Sequence, residues 1–263
     1  MNDDYRNLAA FYDDLAQDYH LLYADWDQSI RRQATVLRKL LQTLQCPPPC
    51  KLLDASCGIG TQAIGLARAG YRVTGTDLSP KAIDRAAREA DRHGVELQLQ
   101  QADFRALSDV LSDTFEIVLT CDNALPHLLT EEDLRQGLHE LYDRLRPGGL
   151  FLASVRDYEA LLQDKPTVTP VDLFGREPHR YFSFQEWQWS ADDKHYTFNH
   201  FIVQQRGKDW HTTQRTAHYR ALRRQELQAA LEQAGFRQIQ WHEPAQTGYY
   251  QLIVTARCGD ASG

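Results

Sequence analysis

Apolar and polar positions fall into blocks along the chain, and the period changes from one block to the next. Residues 5–45 read as helical. Leu37, Leu40, Leu41 and Leu44 recur at helical spacing with Arg31, Arg32, Arg38 and Lys39 between them, until Pro47, Pro48 and Pro49 stop the segment. A buried strand over 51–58 (KLLDASCG) ends in glycine and leads into a helix over 61–70. The strand over 71–77 precedes a helix over 79–94 with Ser79 as N-cap, Pro80 in the first turn and Gly94 as terminator. Strands over 95–103 and 115–121, a helix over 130–145 with an acidic first turn, and a strand over 150–155 after Pro147, Gly148 and Gly149 continue the alternation. Such alternation predicts a parallel, doubly wound α/β sheet.

After residue 162 the rhythm breaks. Residues 163–180 form a proline-bearing loop, and strands over 181–190, 195–206 and 209–220 follow one another, rich in aromatic residues and Thr. They turn at Asp192–Asp193–Lys194 and at Arg206–Gly207–Lys208. A helix over 224–234, ended by Gly235, and strands over 236–241 and 249–256 close the chain. The expected division is an N-terminal helical lid (1–45), an α/β core (46–162 and 221–263) and an antiparallel insertion (163–220).

Composition narrows this picture only a little. With 263 residues, 42 % hydrophobic and 25 % charged, the chain is ordinary globular material, which excludes disordered and fibrous classes. A chain of this length buries roughly 70–75 % of its unfolded surface, enough for a full core plus a subdomain. Lys and Arg number 29 against 36 Asp and Glu, a formal charge of −7, which argues against a nucleic-acid or anionic-membrane partner. Of five cysteines, Cys46 and Cys50 flank the triple proline, and none has metal-ligand spacing, so no metal is expected. An acidic start without a basic and apolar leader, no long apolar run and reduced thiols together predict a cytoplasmic chain.

The sharpest chemical signal is the loop from Asp54 to Gly60, DASCGIG. Glycines at a strand-to-helix turn let backbone approach a ligand closely, and the helix start offers unpaired N–H groups. Asp77 ends the next strand, where a carboxylate can accept both ribose hydroxyls. Asp103 ends the third strand within reach of an adenine amino group, and Phe104 beside it can cover the ring. Three successive strand ends therefore face one adenosine. Gly58, Gly60 and Ala63 also fit the GxGxxA of dinucleotide sites. Against that, Asp54 would repel a pyrophosphate, and the chain lacks a second mononucleotide-binding half. S-Adenosylmethionine has no phosphate and carries cationic ammonium and sulfonium groups that an acid there helps to anchor.

Through LLDASCGIG, VTGTD, QQADF, VLTCDNALPHL and LRPGGLF, the chain resembles class I S-adenosylmethionine-dependent methyltransferases over about residues 30–260. It is similar in particular to the glycine and glycine/sarcosine N-methyltransferases. The resemblance implies a Rossmann-like seven-stranded sheet, S-adenosylmethionine as cofactor and S-adenosylhomocysteine as product. It implies a small amine or amino-acid acceptor, with assembly into oligomers left open. Asp122-Asn123-Ala124-Leu125-Pro126-His127-Leu128 stands where that family has G-N-S-x-x-H-L, and Val155-Arg156-Asp157-Tyr158-Glu159 where it has H-R-N-Y-D. By this resemblance Arg156 grips a substrate carboxylate, Asn123 and His127 join the catalytic set, and Tyr181 and Tyr219 match cap tyrosines. Arg32 matches an arginine that meets the cofactor carboxylate, and Tyr12, Tyr19 and Tyr23 match cofactor-covering tyrosines of the lid. Ala55, Leu78 and Cys121, beside the strand ends, complete the cofactor-binding set. Asp122, Val155, Asp157 and Glu159 depart from the family pattern; Asp122 and Asp157 add negative charge, so an acceptor with a second cationic group enters alongside glycine.

Methyl transfer from a sulfonium is an in-line displacement, so a neutral nucleophile must sit about 3–3.5 Å from the methyl on the right axis. Arg156 can hold a carboxylate in two-pronged fashion, and the Asn123 side-chain oxygen can orient the amine lone pair. Water, Asp122 or His127 can take the ammonium proton, and closure of the N-terminal lid would exclude solvent. Plainer roles compete at each position. Arg156 can pair with Asp157 or Glu159 on the surface, His127 can start a helix on a backbone partner, and Asn123 can cap a turn. Part of the set Tyr181, Phe182, Phe184, Trp187 and Trp189 can be sheet core, and Arg223 and Arg224 a solvated helix start. Rival functions are O-methylation of a small molecule, methylation of RNA or protein, and non-enzymatic cofactor binding.

Overall fold

The computed structural model describes residues 3–259, with side chains from residue 7 onward. Two helices lead the chain, α1 (Asp3–Leu15) and α2 (Trp26–Thr43). The expected continuous helix over 5–45 is therefore broken. A single 3₁₀ turn spans Tyr19–Leu22, and Asp25 restarts the helix by accepting the Gln28 N–H at 2.8 Å. Asp is a strong N-cap residue, and the leucine spacing further along says nothing about it. Ile30, Ala34, Leu37 and Leu41 give α2 its buried stripe.

The core alternates as β1 (Lys51–Asp54), α3 (Thr61–Arg68), β2 (Arg72–Asp77), α4 (Pro80–His93), β3 (Gln98–Gln101), β4 (Phe115–Thr120), α5 (Glu131–Asp143) and β5 (Leu145–Val155). Then come α6 (Tyr158–Asp164), β6 (Leu173–Phe174), β7 (Tyr181–Trp189), β8 (His195–Arg206), β9 (Asp209–Arg220), α7 (Arg224–Gln233), β10 (Arg237–His242), α8 (Pro244–Thr247) and β11 (Leu252–Arg257). Seven strands form one sheet in the order β10-β11-β5-β4-β1-β2-β3. Strands β1 to β5 pair in parallel, while β11 runs antiparallel to β5 and β10. The order reverses beside β1, with β2 on one side and β4 on the other, so a crevice opens at the carboxyl ends of the strands there.

Local chemistry explains these boundaries. Ser79 caps α4 by accepting the Ala82 N–H at 3.0 Å, and Gly94 closes it at φ 65°. Thr130 caps α5 by accepting the Asp133 N–H at 3.0 Å. Strand β1 stops at Asp54, because the following residues turn to form the glycine loop. Strand β5 begins at Leu145 rather than after the glycines, which pass through it as an irregularity in its pairing with β4. Helices α6 and α8 and the two-residue β6 stand where no strong period exists in the sequence.

The second sheet, β6-β7-β8-β9, is antiparallel. Its three long strands occupy almost the spans that the alternation predicts, down to pairs such as Trp187↔Phe198 and Tyr196↔Tyr219. One face buries Trp187, Tyr196, Phe198, Ala217 and Tyr219 in the same core as Phe11 of α1 and Tyr158 of α6. Fully burying a large apolar side chain is worth about 1.5–3 kcal/mol, so this face holds the sheet onto the crevice. Phe184 stacks on Phe201 with centroids 5.1 Å apart, and both are only half-buried.

Candidate active site

Backbone lays the floor of the crevice. Gly58 adopts φ 53°, and its N–H donates to Asp77 Oδ2 at 2.8 Å. The Ser79 N–H donates to Asp77 Oδ1 at 2.9 Å, so the carboxylate is fixed with its remaining lone pairs available. A Cβ at position 58 would come within 4 Å of the Tyr19 ring. Gly60, at φ 96°, starts α3 and lies behind the floor rather than in the cavity wall; a Cβ there would meet Ile64 at 2.9 Å.

A cavity of about 60 Å³ lies over this floor, lined by Ala55, Gly58, Asp77, Leu78, Asp103, Phe104, Cys121, Asp122, His127, Tyr12 and Tyr19 among others. Most of the expected cofactor-binding residues are thereby brought together. The volume is far below the roughly 300–1,000 Å³ of a small-molecule cleft. Tyr12 and Tyr19 of the N-terminal segment narrow the cavity. The Tyr12 hydroxyl lies 2.6 Å from His127 Nε2, while Tyr19 covers the glycine loop.

Asp54 is the most unusual group. It is completely buried, and neither side-chain oxygen has a hydrogen-bond partner. Burial, reinforced by the nearby Asp122 and Asp77 carboxylates, raises its pKa to about 8. The Ser56 and Ala63 N–H groups lie close enough to oppose this rise without reaching hydrogen-bond geometry. A buried carboxylate without a partner costs several kcal/mol unless a cation answers it. The chemistry of the whole set fits S-adenosylmethionine. Asp54 suits an ammonium, Asp77 a ribose diol and Phe104 an adenine face. Among the described residues, the cavity lining holds no Lys or Arg.

Three expected cofactor residues sit differently. Asp103 lines the cavity, but its carboxylate is paired with Arg105, whose Nη2 approaches at 2.8 Å. Arg32 is exposed on α2 and lines a separate recess of about 270 Å³. Tyr23, Tyr249 and Tyr250 stand between that recess and Asp122, all three donating hydroxyls to its carboxylate. Tyr23 therefore lies on the outer side of Asp122 instead of lining the cavity over the glycine loop.

On the other side, the antiparallel sheet packs against a half-buried cation, Arg156. Arg156 donates from Nη1 to the Tyr196 hydroxyl at 2.8 Å and from Nη2 to Gln185 Oε1 at 3.2 Å. Its guanidinium lies over the rings of Trp187 and Tyr219, 4.7 and 5.5 Å from their centroids. Among the described residues no carboxylate lies within ion-pair distance of it. Asp157 and Glu159 turn instead to Arg224, which also binds Glu243, so Arg224 is a cross-link rather than a solvated helix start.

Asn123 does not face the acceptor with a free amide. Its Oδ1 accepts the Arg156 backbone N–H at 3.0 Å, and its Nδ2 donates to the Tyr158 hydroxyl at 2.9 Å. Asn123 and Asp122 adopt φ 66° and 58°, a left-handed pair that Asn and Asp tolerate better than other residues with a Cβ. Asn123 thus clips the end of β4 to the start of the Arg156 segment. His127 stacks on Tyr219 with centroids 4.0 Å apart, and its Nδ1 lies 3.3 Å from the His218 carbonyl. Burial, with Arg156 nearby, lowers its pKa to about 3, so it is neutral and a poor proton acceptor. Burial pushes the Tyr219 phenol up to about 12, leaving it a neutral wall of the site. Tyr181 lies apart from this group and donates to the Tyr23 carbonyl at 2.6 Å, joining sheet to lid. The residues that the sequence does not point to are Tyr196, Gln185, Tyr249 and Tyr250, while Tyr158 stands in the Arg156 stretch with no role assigned to it there. Only strand parity, which puts Gln185 on the same face as Trp187, is a signal for any of them.

Residues 52–149 match the model of a family described as a methyltransferase domain. The chain is 28 % identical to a glycine/sarcosine N-methyltransferase of Halorhodospira halochloris over 52 % of its own length and 50 % of the relative's. It is 36 % identical to a ubiquinone biosynthesis O-methyltransferase of Methylocella silvestris, over 40 % of its length and 39 % of the relative's. The chain thus spans about half or less of the curated relatives named here. The solved sugar N-methyltransferase KedS8 of Streptoalloteichus sp. ATCC 53650 superposes with a TM-score of 0.75 at 16 % identity, covering 92 % of this chain and 93 % of that one. At that identity the superposition shows the fold, and its coverage is too high to omit the antiparallel sheet.

Proposed function

We infer that this chain, which carries a methyltransferase domain of the S-adenosylmethionine-dependent class, transfers the cofactor's methyl group to the amine nitrogen of a small molecule, glycine, sarcosine or a related amino acid. The observation that supports the acceptor class is the half-buried Arg156 guanidinium, held by neutral partners and unmatched by any carboxylate among the described residues. A carboxylate-bearing ligand would complete it with charge-assisted hydrogen bonds.

When bound, the cofactor supplies a methyl group activated on a sulfonium. Asp54 would hold its ammonium and Asp77 its ribose hydroxyls. Arg156 fixes the acceptor by its carboxylate, and Asn123 fixes Arg156 through the backbone N–H. With His127 neutral, the acceptor's proton leaves to water before transfer. Positioning therefore supplies most of the rate. The Tyr12–His127 contact closes the lid over the site, and this contact must open for a ligand larger than the present cavity to enter.

Mass-detected transfer from S-adenosylmethionine across a panel of amines, amino acids, phenols and amino sugars tests this reading. Methylation at nitrogen of a carboxylate-bearing amine is expected. Methylation confined to a phenol oxygen would overturn it, as would transfer only to amines without a carboxylate.

A further inference from the structure

Resting on the amine reading, we propose that Asp122 sets the charge of the acceptor, selecting an amine that carries a second, non-reacting cation. Asp122 lines the cofactor cavity at the end of β4, directly before Asn123, whose side chain holds the Arg156 backbone. The two opposite charges therefore stand at the ends of adjacent strands. Tyr219 of the antiparallel sheet packs under Arg156 on one side and against His127 of the cavity wall on the other.

The charge balance of the cavity leaves Asp122 without a cation. Asp103 is answered by Arg105, and Asp77 by two backbone N–H groups. Asp54 is wholly buried with both oxygens unpartnered, so the cofactor's ammonium is already required there. Among the described residues no Lys, Arg or His lies within ion-pair distance of Asp122. It receives neutral phenols: Tyr23 on Oδ2 at 3.1 Å, and Tyr249 at 3.2 Å and Tyr250 on Oδ1. Three phenols orient a carboxylate but bring no positive charge. The backbone beneath it is pinned to β5, with the Asp122 N–H on Ser154 Oγ at 2.8 Å and the Asn123 N–H on the Ser154 carbonyl at 3.0 Å.

At position 122 the left-handed φ of 58° suits glycine. Asp122→Gly therefore removes the carboxylate without straining the backbone, and Asp122→Asn removes only the charge. The experiment measures kcat/KM for glycine, sarcosine and 2,3-diaminopropionate with the wild type and both variants. Binding of S-adenosylhomocysteine, followed by tryptophan fluorescence, is measured in parallel. The wild type is expected to prefer the diamine, and both variants to lose that preference by about 10–100-fold with product affinity unchanged, as for a lost charged hydrogen bond. A wild type that prefers glycine or sarcosine, or variants that keep the diamine preference, would overturn the proposal. Weakening of S-adenosylhomocysteine by the same factor in Asp122→Asn would overturn it too, by making Asp122 a cofactor anchor. Absence of transfer to every amine would instead sink the amine reading on which the proposal rests.

Discussion

The two sides of the crevice are built by different means. On the parallel side, β1 and β2 end in Asp54 and Asp77, Asp103 follows β3, and Gly58 places its backbone against Asp77. On the antiparallel side, Arg156 is held by Tyr196, Gln185, Trp187 and Tyr219, side chains that come from 29 to 63 residues away in the chain. The first side is a socket made by strand ends, so its character follows from topology. The second is a packed aromatic wall, so its character follows from which side chains meet. On the proposed reading, such a fold keeps its cofactor side while the antiparallel sheet sets the acceptor.

Substitutions on the two sides should separate cleanly. The largest effect is expected for Arg156→Ala, which should lower acceptor kcat/KM by about 10²–10³-fold, the loss of a charge-assisted clamp, with cofactor affinity retained. Asp54→Asn should do the converse, weakening the cofactor by about 10–100-fold in a direct binding titration. The same substitution should alter the pH dependence of folding. Because the folded pKa of Asp54 is raised to about 8, the native state holds a proton that the unfolded chain releases near pH 4. Ligand-free wild-type stability should therefore fall as pH rises from about 4 to 8, at up to about 1.4 kcal/mol per pH unit from this group, and level off above. Asp54→Asn should flatten that slope in denaturant titrations across the range; an unchanged slope would show that the carboxylate is answered within the protein.

Smaller effects should mark the junctions. Tyr12→Phe removes the hydroxyl that meets His127 and should weaken cofactor retention by about fivefold, the worth of roughly 1 kcal/mol for one hydrogen bond. Arg224→Ala breaks contacts with Asp157, Glu159 and Glu243 outside the cofactor cavity. It should cost under about 1 kcal/mol in thermal stability and leave both affinities alone, since these partners are largely solvated.

The same contrast explains how much the sequence discloses. Period and caps locate nearly every core element, because Ser79, Thr130 and the glycines act on their immediate neighbours. Asp54, Asp77 and Gly58 are legible because strand ends in a doubly wound sheet face one crevice. The pairing of Asp103 with Arg105 is also local, two residues apart, yet an acid at a strand end reads first toward a ligand. Arg156 is legible only through resemblance; of its neighbours, Tyr219 is legible the same way and Trp187 only as one of an aromatic set, while Tyr196 and Gln185 leave no mark. Tyr196 lies 40 residues on and Tyr249 more than 120 residues from Asp122, and contacts at such separations leave no periodic trace. Arg32 shows the converse, since matched spacing to Asp54 does not bring it into the cavity.

The most direct measurement of the central claim pairs two readouts on one variant: methyl transfer to carboxylate-bearing amines, and S-adenosylhomocysteine binding, in wild type and Arg156→Ala. The account predicts transfer to nitrogen by the wild type and its loss in Arg156→Ala, with product binding equal in both. Unchanged acceptor kinetics in Arg156→Ala would contradict it.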